Sequence, residues 1–551
     1  MKSTKTLILA ATMLALPIVF TSCEDILGEW SRPAPNPVVP TPEPKSAGTI
    51  GYAEASIQKA AHDKVKTFTN ALTLTGDGTV SYESSNSAVA SVDATGMVTL
   101  TGTAGTTTIK AKVADSDAYT YATNEASYTL EVIDGYRFLK WDDATKQLVA
   151  DIETNYQEIT SSTTTWDGSK VLVVKDADVS ITTNITLSGN TTIILCDGAK
   201  LTTRSINGFS KALTIYGQSA QTGKLIAQAP AVESGISSVS ELNIHGGEIE
   251  AIGSSDNYGI IIAGGTINVY GGKLTARGGY AGILNNGSVS ANINVLGGML
   301  EAYGGNFGGA WYGIDLLGTS SSITVSNHGK LKVQGGNGDT ASSPADAGIY
   351  IGGSLVAKDY AEVTVTGGTS TSNAGGTGID ASVQITITDD AKLTVTGGSG
   401  ATAGGTGTKS LIFTVSGNAQ VKVSGGNGAT GGDGIQSTGT SGLIIVGGNV
   451  EISGGNATGT TGNGGNAASI HVAYEGGKFS FAGGAGSTSD SNGKAMKLEG
   501  GGKQLANGSG ADATFQYSTD GSAWTDFTVS GTSPGNYDDS EKVQNRYLRT
   551  K

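Results

Sequence analysis

Cysteine, histidine, proline and charge are all scarce in this chain of 551 residues, and each scarcity closes a door. Two cysteines, Cys23 and Cys196, allow no disulfide framework, so stability must come from burial and backbone pairing. The four histidines (His62, His245, His328, His471) are scattered, and no nucleophile triad, metal cluster or phosphate loop stands beside them. No catalytic residue, metal or cofactor is therefore assigned. Net charge of −14 with only 15% charged side chains argues against nucleic acid and anionic lipid surfaces as partners. No apolar run after Phe20 is long enough for a transmembrane helix. Glycine is abundant, at 85 residues, but does not fall at every third position, which excludes collagen. Thr, Ser, Val and Ile are plentiful while long helical periodicities are missing. The fold class expected is all-β.

The N-terminus sets an expected compartment. Lys2 and Lys5 precede an apolar run of 14 residues, Leu7 to Phe20, and Thr21-Ser22-Cys23 follows. A run that short reads as a cleaved signal peptide, residues 1–22. Small residues before a cysteine resemble a bacterial lipobox, which implies cleavage before Cys23 and lipid on its sulfur. Glu24, Asp25 and Glu29 then resemble the export signal of Bacteroidota surface lipoproteins. That resemblance implies a chain on the outer membrane, facing outward and touching the membrane through its anchor alone. Residues 23–46 place Pro33, Pro35, Pro37, Pro40, Pro42 and Pro44 at close spacing, as in a semi-rigid polyproline spacer.

Residues 47–134 turn to alternating strands. The stretch Ser84-Ser85-Asn86-Ser87-Ala88-Val89-Ala90-Ser91-Val92-Asp93-Ala94-Thr95-Gly96-Met97-Val98-Thr99 resembles the group 2 bacterial immunoglobulin-like domain. The resemblance implies a β-sandwich that serves surface adhesins as a stalk module.

From Gly135 to about residue 505 the chain repeats itself. Leu242-Asn243-Ile244, Ile267-Asn268-Val269, Ile293-Asn294-Val295, Ile323-Thr324-Val325, Ile385-Thr386-Ile387 and Phe413-Thr414-Val415 align as first strands. Second strands follow each, as in Leu274-Thr275-Ala276 and Leu393-Thr394-Val395, then Gly-Gly, then a short element such as Gly313-Ile314. Three short strands per unit, with period-2 alternation and glycine corners, predict a right-handed parallel β-helix of about eleven coils, roughly 50 Å long at the inter-strand spacing. Residues 506–551 leave the repeat. Phe515 to Trp524 predicts a hairpin around Asp520-Gly521 in a C-terminal β cap. Gly335-Gly336-Asn337-Gly338-Asp339 resembles the calcium nonapeptide of secreted β-rolls but sets its Asp one place early, which favours a corner. The early coils, around Thr192–Thr202 and Leu213–Ser219, resemble glycine-rich β-helix surface proteins of gut anaerobes. That implies adhesin-like carbohydrate binding.

Stacked repeats turn equal positions into columns. Tyr216, His245 and Tyr270 fall in one outward column, and aromatic faces pack on sugar rings as they pack on each other. Tyr303, Phe307, Trp311 and Tyr312 crowd one glycine-rich loop of a chain that is only 6% aromatic. These seven are the candidate ligand residues. The adjacent acid pairs Asp142-Asp143, Asp389-Asp390 and Asp538-Asp539 read as turn formers rather than catalytic carboxylates. The expectation is a non-catalytic surface protein that contacts polysaccharide, host glycan or matrix. A β-helix polysaccharide lyase or glycoside hydrolase, and a purely structural surface component, are the rivals.

Overall fold

The computed structural model describes residues 43–285, 287, 289–338, 344–437, 442–497, 505–509, 511–530 and 540–551. Cys23, the signal peptide, nearly all of the proline spacer, Asp339 and Asp538-Asp539 lie outside the described residues. Those described are all-β apart from one 3-10 turn, Ser489–Ser491, and a four-residue helix, Ser540–Val543. No described helix is long and apolar enough to cross a membrane.

Residues 46–133 form small sheets around their own core. Glu125–Ile133 pairs antiparallel with Gly105–Val113 and parallel with Ser56–Ala60, while Val80–Ser84 adds to the far side of Gly105–Val113. Alternation along these strands buries Ile109, Leu130 and Val132 together with Val98 and Leu100. The tight turn read in the sequence is held by Asp93, whose Oδ1 accepts the Thr95 and Met97 N–H groups at 2.8 and 3.0 Å. Gly96 takes φ 84° there, a conformation open to glycine without a Cβ clash.

Beyond Tyr156 the strands stack as three parallel ladders, in two sheets of 21 and 15 strands. The first ladder carries an inward column from Leu213 through Leu242, Ile267, Ile293, Ile323, Leu355, Ile385, Phe413 and Leu443 to Val472. Every member of that column is 0% exposed. The second ladder contributes twelve described strands from Val179–Ile181 to Lys478–Ala482, with alternation as clean as exposed–buried–exposed–buried–exposed over Lys392–Thr396. The third ladder is shorter, two or three residues a rung, with Ile283, Ile314, Ile349 and Ile379 in register. The sequence alignment of first strands keeps this register but passes over one rung, Ser354–Ala357, pairing on both sides with Ser322–Val325 and the Gln384–Ile387 segment. Its word, Ser-Leu-Val-Ala, ends on alanine instead of a β-branched residue and so escaped the pattern.

Two devices shape the corners. Between first and second ladders the chain turns through the left-handed region at Asn327, Asp359 and Asp389 (φ 53°, 59° and 58°), residue types that tolerate it. The Asp359 carboxylate accepts the Asn327 N–H at 3.0 Å, and Asp389 accepts that of Asp359 at 3.1 Å. Asp389-Asp390 is thus a turn former, as its sequence context predicts. Asp142 does the same in a hairpin, accepting the Ala144 and Thr145 N–H groups.

Between second and third ladders the chain leaves the stack as an arm and returns. In the later repeats the outgoing and returning limbs are both glycine, and their backbones interleave. One run of N–H···O bonds links Gly376 to Gly368, Gly398 to Gly376, Gly405 to Gly398 and Gly426 to Gly405, each at 2.8 Å. It continues through Gly432, Gly455, Gly465 and Gly484 to Gly493. A Cβ at Gly398 would overlap the Gly368 carbonyl oxygen, so no other residue fits. At the far end, Tyr547–Thr550 pairs antiparallel with Lys478–Ala482, and Ala513–Ser518 forms the expected hairpin with Thr525–Val529.

Candidate functional site

The outward columns behave in three different ways. On the first ladder Asn243, Asn268 and Asn294 bond rung to rung, at 2.8 Å from Asn268 to Asn243 and 2.9 Å from Asn294 to Asn268. That is the structural role expected of stacked amides. On the second ladder Lys224, Glu248, Lys273, Met299, Lys330, Glu362 and Lys392 do fall in register, and Glu362 meets Lys330 at 2.8 Å. Such exposed pairs contribute little.

The aromatic column is different. Tyr216, His245 and Tyr270 do stack, with centroids 4.7 and 4.5 Å apart. They are not a free face, however. The hairpin Tyr136–Asp142/Gln147–Glu153 lies over them, bringing Phe138 to 4.5 Å from Tyr216 and Trp141 to 5.6 Å from Tyr270. The Trp141 backbone N–H donates to His245 Nδ1 at 2.9 Å. Burial pushes the His245 imidazole down to about 4, so it sits neutral as an acceptor. These three residues dock a piece of the same chain, which corrects the expectation that they line a ligand face. Alternation along the strand sets their outward direction but could not reveal what covers them, because the hairpin Tyr136–Asp142/Gln147–Glu153 is distant in sequence from His245.

The second group is more open. In the third ladder, the residues three places before the inward Ile379, Thr408, Ile435 and Ala468 are Gly376, Gly405, Gly432 and Gly465, all members of the glycine run. At the matching place earlier repeats carry Tyr280, Trp311 and Asp346. The limbs still bond there, the Gly305, Gly336 and Gly368 N–H groups donating to the Tyr280, Trp311 and Asp346 carbonyls at 2.7, 2.7 and 2.9 Å, but the arm now carries an aromatic cluster. Trp311 lies 4.4 Å from Tyr280, Tyr258 adds an edge at 6.4 Å, and Phe307 stands 6.0 Å from Tyr280. The Trp311 Nε1–H donates to the Phe307 carbonyl at 3.1 Å, which fixes the indole plane. Phe307 is 47% exposed, among the most exposed large apolar side chains of the described residues. Tyr303 is drawn off to one side, with the Arg277 guanidinium 4.0 Å over its ring and its hydroxyl donating to Glu301 at 3.1 Å. Tyr312 packs toward Tyr350 at 5.4 Å. Of the four loop candidates, then, Phe307 and Trp311 share a cluster with Tyr258 and Tyr280, which the sequence reading missed. Their visible signal was a bulky residue in an otherwise glycine slot of the repeat.

Tyr258 of the cluster lies within electrostatic reach of an acid, Asp315. Asp315 and Asp380 occupy equivalent outward positions of the third ladder, one rung either side of Tyr350, and Asp346 approaches from the arm. Burial first, and Asp346 second, push Asp315 up to about 6; burial also pushes Asp346 to about 6, opposed by its hydrogen bonds from the Ala347 N–H and Tyr312. Cys196 is buried elsewhere, and desolvation raises its thiol to about 12, so it is inert. A separate groove of about 450 Å³ between the N-terminal region and the first coils holds Lys59, Lys64 and Arg137, but Arg137 is paired with Asp63 at 3.3 Å.

The architecture thus defined is an all-β chain with an immunoglobulin-like module ahead of stacked parallel strands. Residues 68–115 match the family model of the intimin immunoglobulin-like domain. The immunoglobulin-like character expected from Ser84–Thr99 stands, in the intimin type rather than group 2. No curated protein and no solved structure matches the chain.

Proposed function

We propose that this chain is a non-catalytic, adhesin-like surface lipoprotein that holds carbohydrate through the aromatic cluster of its arm. In this reading Cys23 carries the lipid, the proline-rich segment and the immunoglobulin-like module lift the repeat off an outer membrane, and the ladders wind as a right-handed parallel β-helix. One observation carries the binding assignment: Tyr258, Tyr280, Phe307 and Trp311, from three successive repeats, gather on arms where bulky residues replace the glycines of the later repeats. Rings spaced along a stack at the rung interval suit the successive rings of a polysaccharide chain. The test is a glycan array with the full chain and with Trp311→Ala. Retention should fall roughly tenfold, the loss of about 1.4 kcal/mol expected of one ring face, with the melting temperature nearly unchanged. Equal loss of stability would assign Trp311 to packing. Labelled fatty acid should enter the wild type and not Cys23→Ala.

A second reading, glycoside hydrolysis, is favoured by the raised carboxyls of Asp315 and Asp346 beside those rings. Release of reducing sugar from a retained glycan, abolished by Asp315→Asn, would select it.

A further inference from the structure

Asp315 is a carboxylate out of place. Its strand neighbours Ile314 and Leu316 point into the core, so alternation sends Asp315 outward. Yet it is only 7% exposed, and its Oδ1 has no hydrogen-bond partner. Its rung neighbours Leu284 and Tyr350 flank it, and Tyr312 and Asp346 on the adjacent arms lie within its electrostatic reach.

The charges around it do not balance. Asp346 faces it from the next arm, and Tyr258 feels it from two repeats earlier. Tyr312 lies within electrostatic reach of Asp315, Asp346 and Asp380 together. Against three carboxyls stands one cation, Lys409, one rung beyond Asp380 and acting on that residue. Among the described residues, no ion pair includes Asp315, Asp346 or Asp380. A buried carboxylate with no counter-charge costs several kcal/mol and is relieved by a proton or by a cation. Among the described residues, the acids do not converge as metal ligands do. What surrounds them is aromatic, and ring faces attract organic cations.

We infer that Asp315 and Asp346, with Tyr258 and Tyr312 beside them, form a subsite for an organic ammonium group, presented on a glycan as the protonated amine of an amino sugar. This rests on the reading that the arm holds carbohydrate, and it names which kind. The sugar ring lies on the Trp311–Tyr280 face and its ammonium supplies the charge that Asp315 lacks. Binding draws protons off both acids, because the ionised pair is the form that meets the cation. Affinity therefore falls as pH drops through about 6, where the free acids take up protons.

Two comparisons on the full, unaltered chain test it by calorimetry. Choline, whose charge is permanent, is set against its uncharged isostere 3,3-dimethylbutan-1-ol. Glucosamine oligomers are set against N-acetylglucosamine oligomers. The cationic member of each pair should bind roughly tenfold tighter near pH 7, and the choline preference should vanish near pH 5. Asp315→Asn and Asp346→Asn should each remove the preference of choline over its uncharged isostere. If charged and uncharged oligomers bind equally, the ammonium subsite is wrong and the glycan reading survives. If choline binds while neither oligomer does, the attachment to sugar is overturned and the inference fails as stated. If nothing binds, both fall. The choline comparison needs no variant, so a misfolded mutant cannot blur the result.

Discussion

Single residues here are tuned by what covers them, and pH separates two of them by sign. Asp315 has its carboxyl raised from 3.8 to about 6, so the native state holds a proton that the unfolded chain has released. Folding is penalised above about pH 6 and relieved as pH falls toward 4. Asp315→Asn should therefore raise the melting temperature by a few degrees near pH 7.5, with the gain fading toward pH 4. A flat difference across that range would mean that Asp315 is not desolvated. His245 runs the other way. Its imidazole is lowered from 6.5 to about 4, so stability is complete above pH 6.5 and lost as pH falls toward 4. The melting temperature of wild type minus that of His245→Phe should decline through that window, alongside a shift in Trp141 fluorescence as the hairpin loosens. If the difference ignores pH, His245 is solvated and the hairpin does not seal it. The sequence singled out His245 by its outward column but not its burial, and it did not single out Asp315 at all. Burial of an outward position depends on a distant hairpin or on neighbouring repeats, and alternation along one strand reports direction only.

At the scale of elements, much was legible because the repeat enforces it. The inward columns, the asparagine ladder and the alternating charges all follow from one alignment, since stacking converts equal position into contact. The Gly-Gly pairs were legible as corners, but their actual partner was not. A corner explains one limb of the arm, whereas the returning glycines Gly376, Gly405, Gly432 and Gly465 exist to meet it backbone to backbone. Gly398→Ala should therefore cost about 3 kcal/mol, the upper end of overpacking, because rigid carbonyls on the neighbouring limb cannot yield. Gly51→Ala, with open space around it, serves as the control and should be close to neutral. A small effect at Gly398 in thermal unfolding would show that the limbs are apart in solution. The site departs from this pattern in residue type alone: Tyr280, Trp311 and Asp346 keep the backbone bonds but put bulk in a glycine slot, a departure of the kind that marks function.

At the scale of the whole molecule, a stack of parallel strands is stable only if both ends are closed. Every rung is paired above and below, so each inner edge is spent, while an exposed terminal rung would present a row of unpaired N–H and C=O groups. Tyr547–Thr550 closes that row on the second ladder by pairing antiparallel with Lys478–Ala482, and it brings Leu548, 0% exposed, against Phe481. Phe479 and Phe515, 5.6 Å apart, continue the seal. The antiparallel direction matters, because another parallel rung would only move the open edge outward by one step. Removing residues 540–551 uncovers the Lys478–Ala482 edge while leaving the upstream ladders paired. The shortened chain should then keep its β-sheet circular dichroism yet associate end to end in a concentration-dependent way, as read by light scattering. A truncated chain that stays monomeric at all concentrations would mean that the terminal strand is dispensable to the edge. Loss of the sheet signal itself would mean that closure is required for the stack to form at all.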